Sequence, residues 1–172
     1  MDYGSPLAGG MCRIRLCTRQ PEEMGLEDLG MKQGKTFADL AIGMTVSIQN
    51  TVSDQDVVDF ARVSGDYNPL HMDEDYAKTT QFKGRIAHGA LSASYISAIL
   101  GNDLPGPGAV FMELNLKFVR PVRIGDTVTS TAEVIEMVER GYRVRLGVKG
   151  EVDGKVCMKG EALVMVPSGK AE

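Results

Sequence analysis

The chain has 172 residues, 43% of them hydrophobic and 24% charged, with a formal net charge of -4 at pH 7. That length supports one ordinary domain with a sizeable core, and the composition excludes a disordered or fibrous chain. No apolar run approaches the roughly 18 to 20 residues that a membrane span needs, and the acidic balance argues against a nucleic-acid binder held by general positive charge.

Residues 1–36 are rich in glycine and show no sustained period, so a poorly ordered or extended segment is expected there, followed by a single domain over 37–168. The segment lacks the continuous apolar stretch of a secretory signal. Arg13, Arg15 and Arg19 give it a faint likeness to an organelle transit peptide. The expected location is therefore the cytoplasm, or an organelle matrix if the segment is such an address. Cys12, Cys17 and Cys157 include no Cys-x-x-Cys pair and are expected as free thiols in a reducing compartment. His71 and His88 are the two histidines, and with these cysteines no zinc-ligand spacing can be assembled, so no metal is expected.

From Thr36 onward the pattern sharpens. Met44 to Gln49 reads as a strand. Ser53 is a plausible N-cap, with Asp54 and Asp56 in a first turn where carboxylates suit the helix dipole. Val57, Phe60, Ala61 and Ser64 then follow one helical face, and Gly65 is placed to end the helix in the left-handed conformation. A short helix is expected at Glu74–Lys78. Gly89 to Leu100 contains no charge and carries small residues on every side, which predicts a helix buried all round.

Four strand signals follow. Met112, Leu114, Leu116 and Phe118 alternate with Glu113, Asn115 and Lys117; Val128, Ser130, Ala132 and Val134 alternate within Thr127–Val134. Tyr142, Val144, Leu146 and Val148 alternate with Arg143, Arg145 and Lys149, and a last strand runs from about Lys155 to Val166. Arg140-Gly141 and Asp153-Gly154 supply hairpin turns. Such alternation predicts a four-strand meander within an antiparallel sheet with one face inward. Curling that sheet around the apolar helix is the economical α+β packing. It leaves an edge strand that a second copy of the chain can cover. Met112, Met158 and Met165 are expected as core or pocket lining.

Two places offer chemistry. Asp66 and His71 are five apart, which on a helix leaves them about 140° apart and on a strand puts them on opposite faces. A turn can bring them together, and Gly65, Asn68 and Pro69 are turn residues. The pair could then hold and activate one water; alternatively Asp66 simply caps an Asx turn and His71 lies on the surface. His88-Gly89 opens the apolar helix, where unpaired N–H groups and the dipole suit an oxyanion, or where Gly89 merely permits close packing. His88 is either a second base or a satisfied structural residue. Ser92, Ser94 and Ser97 sit in no Gly-x-Ser-x-Gly elbow, so serine-hydrolase chemistry has no support.

The run Val57–His71, Val-Val-Asp-Phe-Ala-Arg-Val-Ser-Gly-Asp-Tyr-Asn-Pro-Leu-His, and Arg85–Leu91, Arg-Ile-Ala-His-Gly-Ala-Leu, resemble the MaoC-like (R)-specific enoyl-CoA hydratases of the hot-dog fold. Phe118-Val119-Arg120-Pro121-Val122 followed by Gly125-Asp126 is similar to the same family, so the likeness covers the chain after residue 36. The resemblance implies a curled antiparallel sheet around a long central helix. It implies (R)-specific hydration of trans-2-enoyl thioesters to (3R)-3-hydroxyacyl thioesters, or the reverse dehydration, without a cofactor. By the same likeness Asp66 and His71 are catalytic, Gly89 polarises the thioester carbonyl, and Asn68 and Ser97 shape the site. The implied substrate is an acyl-CoA or an acyl-carrier-protein thioester, and the implied assembly a homodimer or an oligomer of dimers. A hot-dog thioesterase, or a non-catalytic acyl-thioester-binding subunit, is the alternative.

Overall fold

The computed structural model describes residues 33–169. In chain order these form β1 (Thr45–Thr51), α1 (Asp54–Ser64), α2 (Pro69–Met72), α3 (Glu74–Thr79), α4 (Gly89–Asn102), β2 (Val110–Phe118), β3 (Thr127–Val138), β4 (Arg143–Val152) and β5 (Lys155–Met165). Cys12, Cys17 and the arginines of the possible transit segment lie outside the described residues. Within them, the packed domain reaches further back than 37: the Lys35 amide donates to the Pro105 carbonyl at 2.9 Å and the Phe37 amide to Pro167 at 2.8 Å.

The strands form one antiparallel sheet in the order β1-β3-β4-β5-β2. Only β3, β4 and β5 make a meander. The fourth expected member, β2, pairs with β5 at the far edge instead of with β3, because alternation specifies which face a strand buries and not which neighbour it takes. Register shifts at Phe111/Glu113, Val134/Glu136 and Gly150/Glu151 add local twist, which bends the sheet around α4.

The inward positions of the central strands are those the alternation marks. Val128, Ala132 and Val134 of β3, Val144 and Leu146 of β4, and Met158 and Val164 of β5 are fully buried. They close on Leu91, Ile96, Ile99 and Leu100 of α4. The opposite side of α4 is open: Ala90, Ser94, Ser97 and Gly101 are exposed, so the helix is not buried all round. Absence of charge signalled burial along this run, but alanine, serine and glycine present so little apolar surface that a face made of them can stay in water. Met112 and Met165 are likewise exposed, at 46% and 40%, because β2 is an edge strand and Met165 ends the strand beside it; of the three methionines only Met158 is core.

Candidate active site

The segment between α1 and α4 lies against the start of the central helix. Ser53 caps α1 with a reciprocal bond to Asp56, and Gly65 at φ +79° stops it. The chain then turns on short side chains. Ser64 Oγ accepts from the Asp66 amide at 3.2 Å, Asp66 Oδ1 accepts from the Asn68 amide at 3.2 Å, and Asn68 Oδ1 accepts from the Leu70 amide at 3.0 Å. Asn68 thus caps the one-turn helix α2, which Pro69 opens. The simpler alternative for this motif is half realised, since Asp66 does form an Asx turn. His71, however, is buried rather than on the surface.

Donor atoms of Asp66, His71 and His88 all lie within 4.8 Å of one another. His71 Nδ1 is 2.9 Å from the Ile86 carbonyl. A carbonyl can only accept, so Nδ1 carries the hydrogen and Nε2 holds the free lone pair. Burial pushes the His71 pKa below the ordinary value of 6.5, the Ile86 bond opposes this, and the neighbouring His88 adds to it. His71 is therefore a neutral imidazole at pH 7, with its basic nitrogen available.

His88, 1% exposed, donates from Nε2 to the Asp66 carbonyl at 3.0 Å. Its ring packs against His71 with centroids 4.0 Å apart and planes tilted by 36°, and against Phe60 at 5.0 Å. The sequence spacing gave no hint of this two-histidine, one-carboxylate cluster. One nitrogen of each ring serves a carbonyl, which leaves His71 Nε2 and His88 Nδ1 as the remaining ring nitrogens of the cluster.

Arg85 braces the segment. Its Nε donates to the His71 carbonyl at 2.5 Å and its Nη1 meets Asp54 Oδ1 at 2.7 Å, while its amide donates to Glu74 Oε2 at 3.1 Å. Arg85 thereby ties three places together, Asp54 and the His71 carbonyl through its guanidinium and Glu74 through its amide.

A cavity of about 330 Å³ opens beside these groups, lined by His71, Gly89, Ser92, Phe118, Cys157 and Met158 among others. Its wall is mostly apolar, and it meets the first turn of α4, whose N–H groups lack intrahelical acceptors. A Cβ on Gly89 would sit 3.3 Å from the Phe118 ring, so glycine keeps the helix start open under that side chain. A larger depression of about 590 Å³ on the outer face of the sheet contains none of these residues; within it Arg145 meets Glu161 at 3.5 Å.

His71 and Gly89 line this cavity together, Asp66 lies outside its lining but within 4.8 Å of the His71 ring nitrogen, and Asn68 holds the turn that delivers His71. Ser97 is exposed on the open side of α4 and does not line the cavity; Ser92 does, three residues after Gly89 and so on the same helical face. Cys157 is a free, buried thiol whose burial raises its pKa. Arg85 and Phe118 stand in motifs that carry the family resemblance, but the sequence assigns neither them nor Cys157 to the site, because the partners they meet there lie far away in sequence.

A curled antiparallel sheet wrapped on a long helix, with this pocket at the helix start, defines a hot-dog fold protein. The MaoC like domain profile matches residues 38–155, and the chain belongs to that family. It is 52% identical over 132 residues to an (R)-specific enoyl-CoA hydratase of Rhodospirillum rubrum, covering 77% of this chain and 92% of the relative. It is 47% identical to a 3-hydroxybutyryl-CoA dehydratase of Methylorubrum extorquens, covering 76% and 83%. Among solved structures it is similar to the unliganded R-hydratase PhaJ1 of Pseudomonas aeruginosa, with a TM-score of 0.74, 40% identity and coverage of 81% and 93%.

Proposed function

We propose that the chain is a hydro-lyase that adds water to trans-2-enoyl-CoA thioesters to give (3R)-3-hydroxyacyl-CoA, and catalyses the reverse dehydration. The observation that carries this reading is that His71, its Nε2 lone pair free, lines one apolar cavity together with Gly89 at the amino end of α4, with a carboxylate oxygen of Asp66 within 4.8 Å of the His71 ring nitrogen. The names of the relatives at 47% and 52% identity both support a CoA thioester, and that of the relative at 52% supports the R configuration.

The enoyl carbonyl oxygen sits at the first turn of α4, near the Gly89 N–H, where the dipole stabilises developing enolate charge. One water lies between the pair, its hydrogens directed at His71 Nε2 and the Asp66 carboxylate. Its oxygen bonds to the β-carbon as the C=C electrons move toward the carbonyl. The proton passes to one member of the pair and returns to the α-carbon as the enolate collapses. Water is added in full and the thioester stays intact. Nδ1–H bonding to Ile86 keeps the imidazole in the tautomer this step requires.

The test is incubation with crotonyl-CoA, following loss of the enoyl absorbance, free thiol and product chirality. Hydration to the (3R) product without thiol release is expected. Thiol release without hydration would instead identify a thioesterase, a reading disfavoured by α4 having no carboxylate from Gly89 to Asn102. A substrate panel on CoA and acyl carrier protein tests the carrier.

The partner we propose is a second copy of the chain along β2. That edge strand exposes Val110, Phe111, Met112 and Phe118, an apolar row whose outer main-chain groups a copy can pair. Sedimentation should give a dimer, and Met112→Lys a shift toward monomer. The free Cys157 supports a reducing compartment such as the cytoplasm.

A further inference from the structure

The hydration reading assigns work to Asp66 and His71 but none to His88, which touches both. His88 is the N-cap residue of α4, yet its side chain makes no capping bond. Its Nε2–H instead reaches back 22 residues to the Asp66 carbonyl. Its ring packs against both Phe60, at 5.0 Å, and His71, at 4.0 Å with the two planes tilted by 36°. The other nitrogen, Nδ1, is buried without a hydrogen-bond partner among the described residues.

That unpartnered nitrogen separates a packing role from a positioning one. A fully buried imidazole with one nitrogen unsatisfied is a worse core residue than an apolar ring of similar size. Fold stability alone therefore does not account for histidine at 88. What an apolar ring cannot supply is the N–H donated to the Asp66 main chain. Fixing that carbonyl limits rotation of the Asp66 backbone and so aims its carboxylate. The tilted ring contact at 4.0 Å restricts the plane of His71, whose own Nδ1–H is pinned at Ile86. Because His88 also begins α4, one residue couples the water-holding pair to the helix end that receives the carbonyl.

We propose that His88 is a positioning residue for the Asp66–His71 pair, holding Asp66 through its main-chain carbonyl and His71 through its ring face. The inference rests on the hydration reading, and its test is separable from it.

Two variants divide the contacts. His88→Phe keeps the ring and loses the N–H; His88→Gln keeps an N–H at nearly the same reach and loses the ring. With crotonyl-CoA, His88→Phe is expected to lower kcat by about 10²-fold, the order expected for a misplacement of about 1 Å, with KM within about threefold of wild type. His88→Gln is expected to recover at least tenfold of that loss. Wild-type kcat in His88→Phe, a loss borne by KM, or no rescue by His88→Gln would overturn the proposal.

Folding of the variants does not limit the test, because the wild-type protein gives a second readout. The chain has two histidines, so long-range ¹H–¹⁵N spectra resolve each ring. His88 is expected as the Nε2–H tautomer and His71 as the Nδ1–H tautomer. An Nδ1–H tautomer at His88 would remove the donor to Asp66 and overturn the proposal. Full activity in both Asp66→Asn and His71→Ala would instead defeat the hydration reading, whatever the His88 variants do.

Discussion

Replacing Arg85 by alanine tests how the segment carrying His71 is held. The side chain is 17% exposed and donates to two groups, the His71 carbonyl at 2.5 Å and Asp54 at 2.7 Å. A hydrogen bond from a cation to a shielded carbonyl is worth about 1.5–3 kcal/mol. Asp54 is 63% exposed, so solvent screening leaves its ion pair worth at most about 1 kcal/mol. Arg85→Ala should therefore destabilise the protein by roughly 2–4 kcal/mol, from the charged hydrogen bond and the ion pair together. For a chain of this size that is a fall in Tm of about 5–15 °C. Asp54→Asn removes only the screened pair and should cost under about 1 kcal/mol. Calorimetry of both variants and of the double variant checks this, with hydration assayed at 25 °C where all remain folded. The reasoning is refuted if Arg85→Ala melts within a degree of Asp54→Asn, since the bond to the His71 carbonyl would then contribute nothing.

The hydration rate should be insensitive to pH above the ordinary histidine value of 6.5 and fall in acid, because His71 must keep its lone pair and its pKa is lowered. Stability moves the same way: the unfolded chain takes up that proton first, so stability is lost as pH drops from about 6.5 through the folded value. Rate–pH profiles and melts read both, and an acid limb centred above 6.5 would contradict the assignment. Gly89→Ala places a methyl 3.3 Å from Phe118 at the mouth of the helix end. It should lower kcat/KM by about tenfold or more, less than the 10²–10³ of removing an oxyanion donor outright, with an unchanged circular dichroism spectrum. Ile99→Ala empties a fully buried position of α4 and should cost about 2–5 kcal/mol in urea unfolding.

What the sequence disclosed depended on how local each signal was. Ser53, Gly65 and Asp153-Gly154 act on their own neighbours, so the ends of α1 and the β4–β5 hairpin were legible. Val144, Leu146 and Val148 carried their buried face in their alternation. The place of β2 beside β5 was not legible, since pairing choice is made across distant residues. Neither was the open side of α4, which an uncharged run of small residues does not distinguish from a buried one. In the site, Asp66, His71 and Gly89 stand in motifs whose turn residues bring them together. Arg85 acts on a carbonyl 14 residues away and His88 on one 22 residues away, contacts that no periodicity encodes. Ser97 shows the opposite failure, a motif position that the fold turns away from the cavity while Ser92 lines it.

The central claim is that one carboxylate and one neutral imidazole jointly hold the water that adds to the enoyl thioester. Single-turnover hydration of crotonyl-CoA by Asp66→Asn and by His71→Ala, each shown to be folded, measures it most directly. Both should lose at least about 10²-fold, the lower end for positioned acid–base groups, and the double variant should lose little more than either alone. Wild-type turnover in either variant, or losses that multiply in the double variant, would contradict a shared water.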